Sequence, residues 1–300
     1  MDMTHNKCCR HGASLRRKRC RRRKILRSII FSCSIIAVAV FVAVGSSMIR
    51  SGDDRTNKYD VEAGNNTYDN AVIENSKISE KNKIQNNQSM LDDIMNSTQY
   101  PKQLKDLALK NEEALEFVYD YPAEHVKEHT IDLTEEASMD SVPLFVQWDK
   151  RWGYEKYSGN FFAASGCGPT TLSMVVVYLT HNREASPIAV AKYSKEAGYS
   201  VDGSGSSWTL ISEGCRHYGV KAKAVALDES RMKAELDEGH PIVVNVGPGD
   251  FTDTGHFMVI TGYDDEGFSI NDPNSIEKSG KRWLFKNISS QIRAVWSMYV

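Results

Sequence analysis

Beyond residue 100 the apolar positions follow first a helical and then a strand period. Leu104, Leu107 and Ala108, then Ala114, Leu115 and Val118, recur at three- and four-residue intervals, which predicts one or two amphipathic helices over 100–121, stopped by Pro122. The run Leu172 to Leu179 is apolar on every side and predicts a buried helix over 169–180, with Pro169 suited to its first position. Further helices are expected near 187–197, 207–218 and 229–238. After these, Ile242 to Val246, His256 to Tyr263, Phe268 to Asp272 and Ala294 to Val300 read as strands. The acids of Asp264-Asp265-Glu266-Gly267 form a hairpin turn rather than a calcium loop, because EF-hand spacing and a closing glutamate are missing. The pattern predicts an α+β domain over 142–300, with a helical first half and an antiparallel sheet in the second half.

The amino-terminal third is patterned differently. Eleven Lys and Arg lie between residues 7 and 27, followed by an uncharged stretch from Ser28 to Ile49, about the length that spans a hydrocarbon core. Basic residues stay on the cytoplasmic side, so the head is expected inside the cell and everything after residue 50 outside. Ala43-Val44-Gly45 resembles a cleavage site, but the apolar run is longer than a signal-peptide core, which favours an anchor. Residues 51–95, rich in Asn, Asp, Lys and Ser, read as a flexible stalk. The expected organisation is a basic cytoplasmic head (1–27), a transmembrane anchor or uncleaved signal (28–49), a stalk (50–95), a helical preface (96–141) and the α+β domain (142–300).

Charge and cysteines sharpen this division. Twelve of the 37 Lys and Arg precede residue 51 with one of the 39 acids, leaving 25 against 38 in the exported part. An acidic surface disfavours nucleic acid, and lipid adjacency accounts for the basic block without it. Four of the six cysteines lie in the head or membrane segment. Only Cys167 and Cys215 remain outside, so the exported domain has no disulfide framework, and it has no CxxC for zinc.

Cys167, in Gly166-Cys167-Gly168-Pro169-Thr170, sits at the mouth of the predicted buried helix, where unpaired N–H groups and the macrodipole favour a thiolate. Nucleophile and small buried cysteine are both open readings on these residues alone. Cys215 reads as structural. Thiol-dependent acyl transfer needs an imidazole, a group that fixes it, and donors for the oxyanion. His256 opens a strand, and period two places it with Met258 and Ile260. The next strand of that hairpin returns to Asn271-Asp272-Pro273, so either Asp272 or Asn271 can reach the imidazole. Gln147, in Val146-Gln147-Trp148-Asp149-Lys150-Arg151-Trp152-Gly153, is a neutral amide that can join the Cys167 N–H as oxyanion donor, or is a glutamine beside packed tryptophans. His125-Val126-Lys127-Glu128-His129 matches a zinc-peptidase pattern but lacks an apolar helix and a third ligand. Gly203-Ser204-Gly205-Ser206-Ser207-Trp208 lacks the context of a phosphate loop; Trp208 is a candidate for lining a cleft.

The segments around Gln147, Cys167, Gly255-His256-Phe257 and Asn271-Asp272-Pro273, in that order, resemble the C39-like family of papain-fold cysteine peptidases across 142–300, and the preface resembles that of exported bacterial members. The resemblance implies Cys167 as nucleophile, His256 as general base and acid, Asp272 as orienter and Gln147 as oxyanion donor, acting without a cofactor or metal on a peptide or protein substrate. The family's type members head ABC transporters and trim leader peptides inside the cell, whereas this domain is expected at the outer face of the membrane. Two alternatives remain at this level: hydrolysis of peptidoglycan peptides, and a peptide-binding or sensor module that keeps the fold without turnover.

Overall fold

The computed structural model describes residues 66–300, with side chains from residue 79 onward. Two units compose the chain, Met1–Val72 and Ile73–Val300, and apart from the first turns of the opening helix the elements below lie in the second. The basic head and the uncharged segment 28–49 lie outside the described residues. Among those described, no helix is long and apolar enough to cross a membrane.

Helix α1 (Asn66–Asn96) corrects the expectation of an unstructured stalk over that stretch. Glu, Lys, Gln and Met are good helix formers, and the carboxyl-terminal turns place Met90, Leu91 and fully buried Ile94 at helical spacing against an apolar cluster. That cluster continues through α2 (Lys102–Lys110), a 3₁₀ turn (Glu112–Ala114) and α3 (Leu115–Tyr119), burying all six apolar positions that the periodicity marks. The break falls at Asn111, whose side chain accepts from the Glu113 N–H and caps the turn. Helix α3 ends at Tyr119, ahead of Pro122 as expected, and Pro122 itself lies in the first turn of the short helix α4 (Tyr121–Glu124), where no N–H is needed. Helix α5 (Thr134–Ala137) follows.

The remaining chain is a helix layer against one antiparallel sheet. A small hairpin, β1 (Lys156–Tyr157) and β2 (Asn160–Phe161), leads into α6 (Phe162–Ser165), α7 (Cys167–Thr180) and α8 (Pro187–Glu196). A second hairpin, β3 (Ser200–Val201) and β4 (Gly205–Ser206), precedes α9 (Thr209–Ser212) and a 3₁₀ turn (Gly214–Tyr218). The single helix expected over 207–218 is thus split before Gly214. The later elements are β5 (Lys221–Ala224), α10 (Glu229–Asp237), β6 (Ile242–Val246), β7 (His256–Asp264), β8 (Gly267–Asn271), α11 (Ile276–Ser279), β9 (Arg282–Trp283), α12 (Phe285–Ile288), a 3₁₀ turn (Ser289–Gln291) and β10 (Ile292–Tyr299). The sheet order is β5-β10-β6-β7-β8-β9, every pair antiparallel. Asp264 pairs with Gly267 across the predicted turn, and Gly267 takes φ 133°, a conformation open to glycine.

The sheet is buried on both faces. Phe257, Val259, Trp296 and Met298 pack against α7 in one cluster, while Met258, Ile260, Val244 and Ile270 pack with Met232 and Ile288 in the other. Helix α7 is apolar all round because the layer surrounds it; Thr171 also donates from Oγ1 to the Phe257 carbonyl at 3.1 Å, tying the helix to β7 one turn beyond Cys167.

Candidate active site

Three segments distant in sequence converge at the amino-terminal end of α7. Cys167 occupies the first turn of that helix, half-buried, with Gly166 as the preceding cap residue. Close packing fixes this turn: a Cβ on Gly168 would lie 2.5 Å from Ser206 Oγ and 2.7 Å from Ser206 Cβ, so glycine is required by the approach of β4. Ser206 Oγ is in turn 2.7 Å from the Tyr157 hydroxyl.

His256 begins β7, paired with Val246, and is 6 % exposed. Met258 and Ile260 follow the expected alternation into the far cluster, whereas His256, at the strand end, lies beside the Cys167 thiol and favours its ionised form. Its Nε2–H donates to Asp272 Oδ1 at 2.7 Å. Ionised carboxylate oxygens only accept, so this contact fixes the proton on Nε2 and leaves Nδ1 for the thiol. The choice left open by the sequence is settled: Asn271 donates from Nδ2 to the carbonyls of Val142 and Pro143, at 3.2 and 3.0 Å, and Asp272 alone of the two bonds the imidazole. Asp272 is fully buried. Its Oδ1 also accepts from the Asn274 N–H at 2.8 Å, while Oδ2 has no hydrogen-bond partner among the described residues.

Burial opposes charge on both the thiol and the imidazole. At Cys167 it is outweighed by the hydrogen bond and charge of His256, and by the N–H groups of Phe257 and Gly168, so the thiol lies below its ordinary range. At His256 burial is outweighed by the Asp272 charge and hydrogen bond and then by Cys167, which carry the imidazole up to about 10. The arrangement stabilises a thiolate–imidazolium pair that titrates as a unit. Cys215 contrasts with it: fully buried, it has its thiol pushed up to about 11 by desolvation.

Gln147 is 4 % exposed and held between the other two segments. Its backbone N–H donates to the carbonyl of Pro273, next to Asp272, at 2.7 Å, and its Nε2 donates to the carbonyl of Ala163, four residues before Cys167, at 2.7 Å. A carbonyl accepts only, so the Ala163 contact sets the amide orientation and leaves a second N–H on Nε2. Trp208, 47 % exposed, stands edge-on to Trp296 with ring centroids 6.0 Å apart. His125 stacks on Tyr121, and His129 lies 3.6 Å from Glu124, so the two histidines of the zinc-like pattern serve different neighbours.

The family model described as Peptidase_C39 like family matches residues 139–300, more than half of the chain. The chain belongs to this family. Residues 139–300 therefore carry a cysteine-peptidase, papain-like fold of helices and antiparallel sheet, as the resemblance implies. Among solved structures, the peptidase domain of Streptococcus ComA, described as a bi-functional ABC transporter involved in a quorum sensing pathway, is 19 % identical, covering 53 % of this chain and 96 % of its own, with a TM-score of 0.38. A C39-like peptidase from Bacillus anthracis is 16 % identical, covering 53 % and 95 %, with a TM-score of 0.34. No curated protein matches the chain.

Several residues of the C39-like domain have roles that sequence reasoning missed. Trp148 donates from Nε1 to the Asn274 carbonyl at 3.2 Å, supporting the loop after Asp272. Lys150 pairs with Asp120 of the preface at 2.6 Å. Arg151 binds Asp149 and Glu136 while lying 4.5 Å over the Trp152 ring, and Trp152 is buried with its Nε1 donating to the Val146 carbonyl at 2.9 Å. The dense run of charged and aromatic residues around Gln147 is the signal that its surroundings are specified, although its partners are all remote in sequence.

Proposed function

We propose that the chain is a thiol hydrolase that cleaves peptide bonds with Cys167, His256, Asp272 and Gln147. The observation that carries this reading is the 2.7 Å contact of His256 with fully buried Asp272, beside a thiol at the first turn of α7 that the imidazole holds toward thiolate. Cys167 Sγ attacks the carbonyl carbon, and the charge moves to the carbonyl oxygen, where the Cys167 N–H and the second Gln147 Nε2–H donate. The imidazolium of His256 protonates the departing amine as the C–N bond breaks, leaving a thioester. Neutral His256 then takes a proton from water, whose oxygen attacks the thioester; the C–S bond breaks, the acid departs, and the sulfur leaves as thiolate beside the imidazolium, restoring the starting pair. Asp272 holds the ring and stabilises its positive form throughout.

The proposal extends to location. The uncharged segment 28–49 behind its basic head supports a single-pass anchor with residues 50–300 outside the cell, acting on extracellular peptide or protein substrates. Protease accessibility of intact cells checks the orientation: protection of the carboxyl-terminal domain would overturn it.

The activity is tested on the full chain, wild type, Cys167→Ala and His256→Ala, by iodoacetamide labelling mapped to each cysteine across pH 5 to 9, followed by a peptide-library cleavage assay. Rapid labelling of Cys167 that depends on His256, with cleavage lost in Cys167→Ala, is expected. Labelling of Cys167 no faster than that of Cys215, and indifferent to His256→Ala, would sink the hydrolase reading.

A further inference from the structure

We propose that Asn111 and Glu113, from the helical segment that precedes the peptidase domain, are positioning residues for Asp272. This rests on the roles of Cys167, His256 and Asp272 given above, and it assigns the preface a part in the reaction that its sequence does not display.

Two routes run from the preface to the Asp272 carboxylate. Along the first, Asn111 Nδ2 donates to the Asn274 backbone carbonyl at 2.9 Å and to Asn274 Oδ1 at 3.1 Å, and the N–H of the same Asn274 donates to Asp272 Oδ1. Along the second, the Glu113 carboxylate accepts from the Ser275 hydroxyl, from the Ile276 N–H at 2.7 Å and from the Glu277 N–H at 3.1 Å. Those two N–H groups open α11, a helix of four residues, too short to persist without outside partners. From the same helix Ser279 Oγ accepts the Asp272 backbone N–H at 2.9 Å. Glu113 thus holds α11, α11 holds the Asp272 main chain, and Asn111 holds the residue that shares Oδ1 with His256.

The preface is itself well fixed. Leu104, Leu107, Ala114, Leu115, Phe117 and Val118 pack in one cluster with Phe161 and Ala163, and Ala163 supplies the carbonyl that orients Gln147. The segment therefore grips the site at two places, the Asp272 loop and the strand-to-helix turn before Cys167.

The test measures the pH profile of Cys167 labelling by iodoacetamide, with thermal melting in parallel, on the full chain carrying Glu113→Ala, Glu113→Gln, Asn111→Ala or His256→Ala. A looser Asp272 stabilises the imidazolium less, so Glu113→Ala and Asn111→Ala are expected to move the acid midpoint of labelling up by about one unit, a roughly tenfold loss of rate on the acid side of the wild-type midpoint. Glu113→Gln, which keeps an acceptor for the α11 N–H groups, is expected to restore most of the wild-type profile. If Glu113→Ala does not fold, Asn111→Ala tests the other route alone. Profiles that superimpose on wild type while melting falls would overturn the inference and leave a purely structural preface. His256→Ala separates the two levels: if it too leaves labelling unchanged, the functional reading fails, whereas if it alone shifts the profile, only the positioning role fails.

Discussion

His256 Nε2 lies 2.7 Å from Asp272 Oδ1, in surroundings that leave Asp272 fully buried and His256 nearly so. Little water screens that charge, which is why the imidazole is held far above the ordinary histidine range. Asp272→Asn keeps an acceptor for Nε2 and removes the charge. The alkaline limb of activity is then expected to move down from near pH 10, and once it lies below pH 8 each further unit costs about tenfold in kcat/KM at that pH. Steady-state cleavage measured from pH 5 to 10.5 checks this, and an unmoved alkaline limb would remove Asp272 from the role of orienter.

The same ion pair makes stability depend on pH. In Cys167→Ala, His256 is left with Asp272 as its main partner and stays raised, so its contribution is complete below its unfolded value of about 6.5 and is lost as pH rises through the folded value. The melting temperature of Cys167→Ala should fall as pH climbs from 6.5 toward 10, and the double variant Cys167→Ala/Asp272→Asn should lose most of that slope. Equal slopes in the two would place the pH dependence elsewhere.

Gln147 separates thiol activation from oxyanion stabilisation. Gln147→Ala removes the proposed oxyanion donor and should lower kcat about a hundred- to a thousandfold. Because Gln147 bonds the carbonyls of Ala163 and Pro273 rather than the thiol or the imidazole, the iodoacetamide rate at Cys167 should stay within a few-fold of wild type. Parallel losses of both rates would instead mean that the whole site had shifted.

Gly168 reports on how tightly β4 presses on the nucleophile turn. Gly168→Ala drives a methyl group into Ser206 and is expected to cost about 1–3 kcal/mol and to slow Cys167 labelling. Ser206→Gly removes the atoms in the way, so the double variant should recover labelling even though the Tyr157–Ser206 hydrogen bond is gone. Denaturant melts together with labelling rates measure both effects.

Much of the fold was legible because its elements advertise themselves locally. Helices α2, α7, α8 and α10 and strands β6, β7, β8 and β10 fall where hydrophobic period, caps and turns place them. Strand β5, Lys221-Ala222-Lys223-Ala224, escaped because an edge strand with lysines carries no apolar signal, and it is held by pairing with β10 some 75 residues later. The helix over 66–96 escaped because its polar composition resembles a linker, and its last turns are held by a core that other segments supply. Within the candidate site, the thiol, the imidazole, the carboxylate and the amide each carried a local mark. Asn111, Glu113 and Asn274 carried none, since each acts through groups remote in sequence that only the fold brings beside it.

The sequence by itself determined the order of helices and strands, a cysteine at the mouth of a buried helix, a histidine opening a strand, and an amide and a carboxylate side by side at the end of the strand that follows. The tertiary structure decided between Asn271 and Asp272. Neighbouring residues at a strand end point to opposite sides, and only the register of β8 against β7, together with the grip of the preface on the loop beyond, turns Asp272 toward the imidazole and Asn271 toward the carbonyls of Val142 and Pro143. Period-two patterning names the pair, but contacts separated by more than a hundred residues select the member.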